Sequence, residues 1–213
     1  MNFQSKEEYV AEVLREEILG GQRARGERLK QAEIAERLAL SITPVREAFR
    51  ILEAEGYVVS ETHRGVVVAP YDAAATGEIN GLRQVLECRL AQAALGHLTP
   101  DALHRLENIQ YEIEGAADRS DNVAMRTLNY RFHREIYALA QLPQTLRFVQ
   151  VLWAKYPFDL INRVPGRMRQ VVVEHRQLID RLRANDGDGL LQALQVHIAA
   201  GAQTLAGQTP PDR

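Results

Sequence analysis

Three histidines carry the first chemical signal in this 213-residue chain. His133 lies in LNYRFHREIYALA, His175 in VVVEHRQLIDRL and His197 in LLQALQVHIAAG. Each falls on an apolar face at helical spacing. Asn129, His133, Ile136 and Ala140 line up on one such face, Val171, Val172, Leu178, Ile179 and Leu182 surround His175, and Leu190, Leu194 and Gly201 accompany His197. A single histidine in such a place is ordinarily a hydrogen-bonded core residue. Three buried imidazoles without partners are costly. A shared metal ion would supply the partner, and bundle interiors hold sites of this kind. Asn129, one turn before His133, can add a carbonyl oxygen. The contacts between these helices are assumed at this point, so the core reading and the metal reading both stand.

A second set of residues suits the groove of a nucleic acid. Gln31 to Gly56 reads as two short helices broken at Ala39-Leu40-Ser41. In the second, Ser41 or Thr43 can cap the start, and Pro44 sits in the first turn, where a missing N–H costs nothing. Val45, Ala48, Phe49 and Leu52 form the stripe to be buried, and Gly56 is placed for a left-handed cap. Thr43, Arg46 and Arg50 fall together on the opposite side. A hydroxyl and free backbone N–H groups can take phosphate, and arginine can take phosphate or guanine. The pair by itself is equally an ordinary helical hairpin with solvated arginines. The segment after Gly56 decides between the two. Tyr57–Val59 and Val66–Val68 are β-branched runs around Ser60–Gly65, a β-hairpin whose tip carries His63, Arg64 and Gly65. Three helices and then such a wing make the winged helix-turn-helix plan, and a basic tip with glycine can approach the minor groove.

The elements that must position these residues are mostly helical. Ser5 to Leu19 is a helix with a possible Ser5/Glu8 capping box, ended by Gly20-Gly21. Gln22–Leu29 is a basic loop in which Arg23, Arg25, Arg28 and nearby Lys30 crowd together. Pro70 to Ala75 is a linker. Helices are expected near Thr76–Gly96, Pro100–Ala117, Asp121–Leu142, Gln144–Arg163 (kinked or split at Pro157), Arg167–Asn185 and Gly187–Ala206, with a frayed tail beyond. Arg163, Arg167 and Arg169, near the Pro165-Gly166 turn, are expected in solvent. The fold expected is mainly α: a winged helix-turn-helix over residues 1–70, then an antiparallel all-helical bundle over 76–206. With 46% hydrophobic and 25% charged residues the chain has the composition of a soluble globular protein, and no apolar run is long enough to span a membrane. One cysteine, Cys88, and no apolar leader in MNFQSKEEYV point to a reducing cytoplasm. The net charge of −2 does not advertise a nucleic-acid partner. Nor do the first 70 residues, with 10 Lys/Arg against 12 Asp/Glu, so distribution has to matter more than sum.

The series GERL, EIAERL, S-x-TPVREAFRILEAEG and HRG before a valine strand resembles the DNA-binding domain of the GntR family, over about Tyr9 to Pro70. The resemblance implies that Ser41, Thr43 and Arg46 contact operator DNA, with His63 and Gly65 in the wing. Arg50, one turn beyond Arg46, and Arg64 at the tip join them as candidates. Two positions depart from the pattern: Ile42 and Ala32 stand where relatives often carry arginine, which removes two contacts. LRQVLECRLAQAAL, LNYRFHREIY, VVVEHRQLIDRLRANDGDGLLQAL and the late His197 resemble the all-helical FCD effector domain of the FadR-type branch, over roughly Thr76 to Gly201. In that branch an Asp or Asn four residues before the first histidine and three histidines bind a divalent metal. The implied ligands are Asn129, His133, His175 and His197, and the implied metal is zinc or nickel. With Asn in place of Asp, one negative charge is missing, which weakens the site or leaves it more receptive to an anion. Arg83, at the family's LR-x-x-LE position, is expected to pair with the carboxylate of a small organic-acid effector. Its alternative is an internal salt bridge to Glu87.

The expected protein is therefore a ligand-responsive transcription regulator, a repressor in the commoner family mode, binding a near-palindromic operator as a homodimer. One alternative is a metal-dependent hydrolase or lyase fused to a DNA-binding module. It lacks an HExxH arrangement, a nucleophile motif and an evident acid or base, since Glu174 points about 100° away from His175 around its helix. The other is a DNA-binding dimer with no ligand.

Overall fold

The computed structural model describes residues 5–158, 164 and 166–206, with the backbone alone for 203–206. Arg163 and the tail from 207 lie outside the described residues. Helix α1 (Lys6–Leu19) starts where Ser5 Oγ accepts the Glu8 N–H. Helices α2 (Gln31–Arg37) and α3 (Ile42–Glu55) meet at a turn in which Ala39 has φ 53°. Ser41 is the N-cap of α3, although its side chain makes no capping bond, and Gly56 closes the helix at φ 84°. Val45, Ala48, Phe49 and Leu52 are buried against α1 and α2. Strands β1 (Val58–Glu61) and β2 (Gly65–Val68) pair antiparallel with Val58 opposite Val68. The loop before α2 adds a third edge: Gly26 N–H donates to Val68 O, Val68 N–H to Glu27 O and Leu29 N–H to Val66 O.

The rest of the described chain is helical: α4 (Thr76–Leu95), α5 (Pro100–Asp118), α6 (Asn122–Ala138), α7 (Pro143–Lys155), α8 (Arg167–Arg183) and α9 (Gly187–Ala206). Thr99 and Asp121 cap α5 and α6 through their side chains. Helix α9 packs on α4 and α8, α5 on α6 and α8, and α7 on α4. Two ends fall short of the sequence expectation. α6 stops at Ala138 rather than running to Leu142, because Gln141 adopts φ 53° ahead of Pro143. α7 stops at Lys155 because Pro157 cannot donate to the helix and disfavours helical backbone at Tyr156, which is extended. Cys88 is buried, and burial with Glu87 beside it pushes its thiol up to about 11.

The two parts of the chain share a charged, buried seam. The Glu12 carboxylate on α1 is 3% exposed and accepts from Arg15 (2.9 Å), Tyr130 Oη (2.9 Å) and Arg134 (3.0 Å). Arg15 also grips Glu55, at the end of α3, through two 2.7 Å bonds. Alongside, Arg131 holds Glu16, and Arg126 Nε donates to Gly20 O at 2.9 Å. Removing one partner from such a buried network leaves charges without compensation. Glu12→Ala is expected to lower the unfolding free energy by about 3 kcal/mol, measured by denaturant titration against the parent chain.

Candidate functional site

Helix α3 presents its outer face free of the core. Ser41, Thr43, Arg46 and Arg50 are exposed, as is Ile42. Arg50 lies against Glu47 at 3.1 Å, an exposed pair that water already screens. Among the described residues Arg46 forms no ion pair. At the wing tip His63 and Gly65 both have positive φ (67° and 75°), which folds the hairpin end tightly and leaves both exposed. Arg64 bonds Glu61 at 2.7 Å and Gly26 O at 3.1 Å. Arg28, exposed on the added edge, lies beside Gly65.

The charge balance is explained by where the acids go. Glu12, Glu17 and Glu55 are buried or nearly so and are spent on Arg15, Arg23, Arg37 and the seam. The basic loop is not uniformly outward, as its composition suggests. Arg23 folds back on Glu17 and Glu27. Arg25 turns inward, with Nη1 donating to Ala69 O (2.9 Å) and Ala154 O (3.0 Å) and Nη2 to Tyr156 O (3.3 Å). Backbone carbonyls at a helix end and a strand end need donors, and an arginine fork can serve several at once.

In the helical part, α6, α8 and α9 bring His133, His175 and His197 together. All three are buried, and one ring nitrogen from each lies within 4.8 Å of the others. His133 Nε2 is 3.0 Å from His197 Nε2. Their other nitrogens fix the tautomers. His197 Nδ1 donates to Glu174 Oε2 at 2.7 Å. Tyr137 Oη donates to Glu87 at 2.8 Å, so at its 3.3 Å contact with His133 Nδ1 it acts as acceptor. Both Nε2 atoms are then bare lone pairs facing each other, which is repulsive unless a cation or a proton lies between them. His175, stacked on Phe132 at 4.1 Å, has both ring nitrogens buried without a hydrogen-bond partner. Burial pushes His133 down to about 4, and burial with neighbouring imidazoles holds His175 and His197 well below the ordinary histidine range. The neutral imidazole that results is the ligating form. A divalent ion of the zinc or nickel kind fits this nitrogen set.

The cluster opens on a narrow cavity that Asn129, His133, His197, Arg83, Trp153 and Phe158 help line. Only about 50 Å³ is open to the centre of a water-sized sphere, room for a compact occupant. Arg83 makes the internal salt bridge to Glu87 that was its alternative role. Its Nε holds Glu87 at 2.7 Å, and its guanidinium lies 4.3 Å and 4.8 Å over the Tyr156 and Phe158 rings while facing the cavity.

Comparison with known proteins decides the family. The model of the gntR family of bacterial regulatory proteins matches residues 6–68, and that of the FCD domain matches residues 78–200, more than half of the chain. The chain belongs to the GntR family, in its FCD-domain branch. It is 28% identical over 184 residues to the HTH-type transcriptional regulator McbR of Escherichia coli, covering 82% of each protein. It is 24% identical to the galactonate operon transcriptional repressor of the same species, covering 94% of this chain and 97% of that one. The solved structure of E. coli McbR superposes with a TM-score of 0.78 at 26% identity, over 96% of this chain and 97% of that one. This GntR regulator is a DNA-binding transcription regulator, and the enzyme alternative falls with that assignment.

Two residues of the regulator's cavity region escape a reading of the sequence. Glu174 does point away from His175, and that direction takes it to His197 on α9 and to Arg167. Arg167, expected in solvent, is 3% exposed and grips both Glu174 oxygens at 2.8 and 2.9 Å. Their i, i+7 spacing on one helix is the available signal. For the DNA face, Arg46→Ala is expected to weaken binding to a fragment from the promoter of the chain's own gene by about tenfold or more, read by gel shift. Unchanged affinity would remove α3 from the interface.

Proposed function

We propose that this chain represses transcription in the cytoplasm as a homodimer, each copy placing α3 and its wing on one half of a near-palindromic operator, and that a small carboxylate bound beside a divalent metal in the helical cavity releases it. The DNA half rests on the exposed row Ser41, Thr43, Arg46 and Arg50 beside His63, Arg64 and Gly65. Two-fold operators mirror two-fold proteins. The homodimer is supported by apolar side chains without cover on two helices that pack together: Leu82 and Val85 on α4 (46% and 67% exposed) and Phe148 on α7 (64%). Gly77 and Gly81 keep the α4 stripe flat, with nothing within 4 Å of where a Cβ would stand.

The single observation that carries the metal is the buried His133 and His197 Nε2 pair 3.0 Å apart with the His175 ring, unpartnered among the described residues, beside it. His133, His175 and His197 would hold the ion, with Asn129 at the same cavity wall. Bound there, it would supply open positions for an anionic oxygen. Arg83 would orient that anion. Trp153 and Phe158 limit its size and exclude water. Glu174 and Tyr137 keep the His197 and His133 tautomers that aim Nε2 inward. The effector must bind the DNA-competent and DNA-incompetent arrangements with different affinity, otherwise it switches nothing.

Protein prepared without chelator is expected to carry close to one divalent ion per chain by elemental analysis. His133→Ala is expected to lose most of it while keeping its circular dichroism. A metal-free parent protein would refute the metal. A His133→Ala variant that retains the ion would refute this ligand set.

A further inference from the structure

We propose that Arg25 is the positioning residue through which the cavity sets the placement of the wing; the proposal rests on the cavity being the regulatory site. The path is short. Phe158, Trp153 and Arg83 line the cavity. Trp153 Nε1 donates to Glu87 at 3.0 Å, and the Arg83 guanidinium lies 4.3 Å over the Tyr156 ring. The last turn of α7 is thus gripped on its inner side by cavity residues. On its outer side the same turn offers the carbonyls of Ala154 and Tyr156, both residues fully buried. Those carbonyls end a helix whose orphan acceptors need donors. The donor comes from the other half of the protein. Arg25 spans Ala154 O and Tyr156 O and, with the same guanidinium, Ala69 O at the end of β2.

Arg25 is not an isolated side chain reaching across. Its neighbours Gly26 and Glu27 pair with Val68 as the third edge of the wing sheet. A displacement of the α7 end therefore pulls on the backbone that carries the wing. Lys155 packs near Gly56, so the same end also touches the cap of α3. An occupant that draws Arg83 off the Tyr156 ring, or shifts Phe158, changes where those two carbonyls sit. The guanidinium divides its donors between two nitrogens, Nη1 on Ala69 O and Ala154 O and Nη2 on Tyr156 O, and a lysine ammonium, whose three donors leave a single atom, does not reproduce that spread.

Two measurements test this. In the first, Zn²⁺ is added to the metal-free full chain and amide hydrogen exchange is followed. In the parent, exchange should slow in α6 and α9 and also at Gly26, Val68 and Ala69. In Arg25→Lys and Arg25→Gln, both checked for parental circular dichroism, slowing should persist in α6 and α9 and disappear at the three wing amides. Wing protection that survives in both variants overturns the proposal, as does its absence in a parent whose cavity helices respond. No response at α6 and α9 in the parent counts instead against the metal reading. The second measurement needs no ligand. Affinity for the promoter fragment is measured for Arg83→Gln, Arg25→Gln and the double variant. Coupling of about threefold or more is expected, and additive effects overturn the proposal. A merely structural role for Arg25 would lower affinity without coupling to Arg83.

Discussion

The buried carboxylate of Glu12 fixes how the two halves of this regulator meet. It is almost fully withdrawn from water and compensated by donors from α1 and from α6. A carboxylate in that position tolerates little change in its surroundings, because losing any donor exposes an unpaired charge to a low dielectric. Helix α6 is thereby held against α1 by one of its sides. Asn129 and His133 of the same helix line the cavity next to Tyr130 and Arg126, which make those contacts. The histidine cluster and the DNA-binding unit thus both bear on α6.

The cavity follows the same logic at smaller scale. Burial alone would make three neighbouring imidazoles neutral. Neutrality leaves the choice of tautomer open, and Glu174 and Tyr137 make that choice for His197 and His133. Arg167 in turn opposes the upward push that burial exerts on the Glu174 carboxyl. The result is a concentration of lone pairs in an apolar wall, with Phe132 stacked behind His175. Such a cluster is unfavourable by itself, and a cation bound as proposed would relieve it. Its stability and its ligand affinity are therefore one quantity seen from two sides.

Much of this is legible in the residues. The buried stripe of α3, the Gly56 cap, the wing hairpin and the helical order of the rest all come from local patterns, and the structure has them. Local patterns also place the three histidines on apolar faces, because helical periodicity is a property of neighbours in sequence. What periodicity cannot supply is the direction from which another helix arrives. Glu174 lies about 100° from His175, and only the approach of α9 turns that direction into a bond to His197. Arg167 and Arg25 mislead for the same reason. Each looks solvated when its own segment is considered alone, and each is claimed by groups far along the chain, Arg25 by residues 129 and 131 positions away.

The inward turn of Arg25 bears on how a domain with more acids than bases holds DNA. Some of the acids are consumed in the seam: Glu12, Glu16 and Glu55 all face arginines that join the chain's own parts. Two arginines of the basic loop are consumed in the same way. What remains for phosphate among the described residues includes the exposed cations Arg28, Lys30, Arg46, Arg50 and Arg64, three of them already paired with surface glutamates that a phosphate must displace. Salt-dependent phosphate contacts supply much of the affinity in protein–DNA complexes. A single copy with so few of them is expected to bind weakly, and Ile42 and Ala32 add none. In the proposed homodimer, two copies held at a fixed separation would raise the affinity, because the second engagement becomes intramolecular. In the proposed scheme, spacing between the copies, rather than charge on either one, is the variable that occupancy of the helical cavity would control.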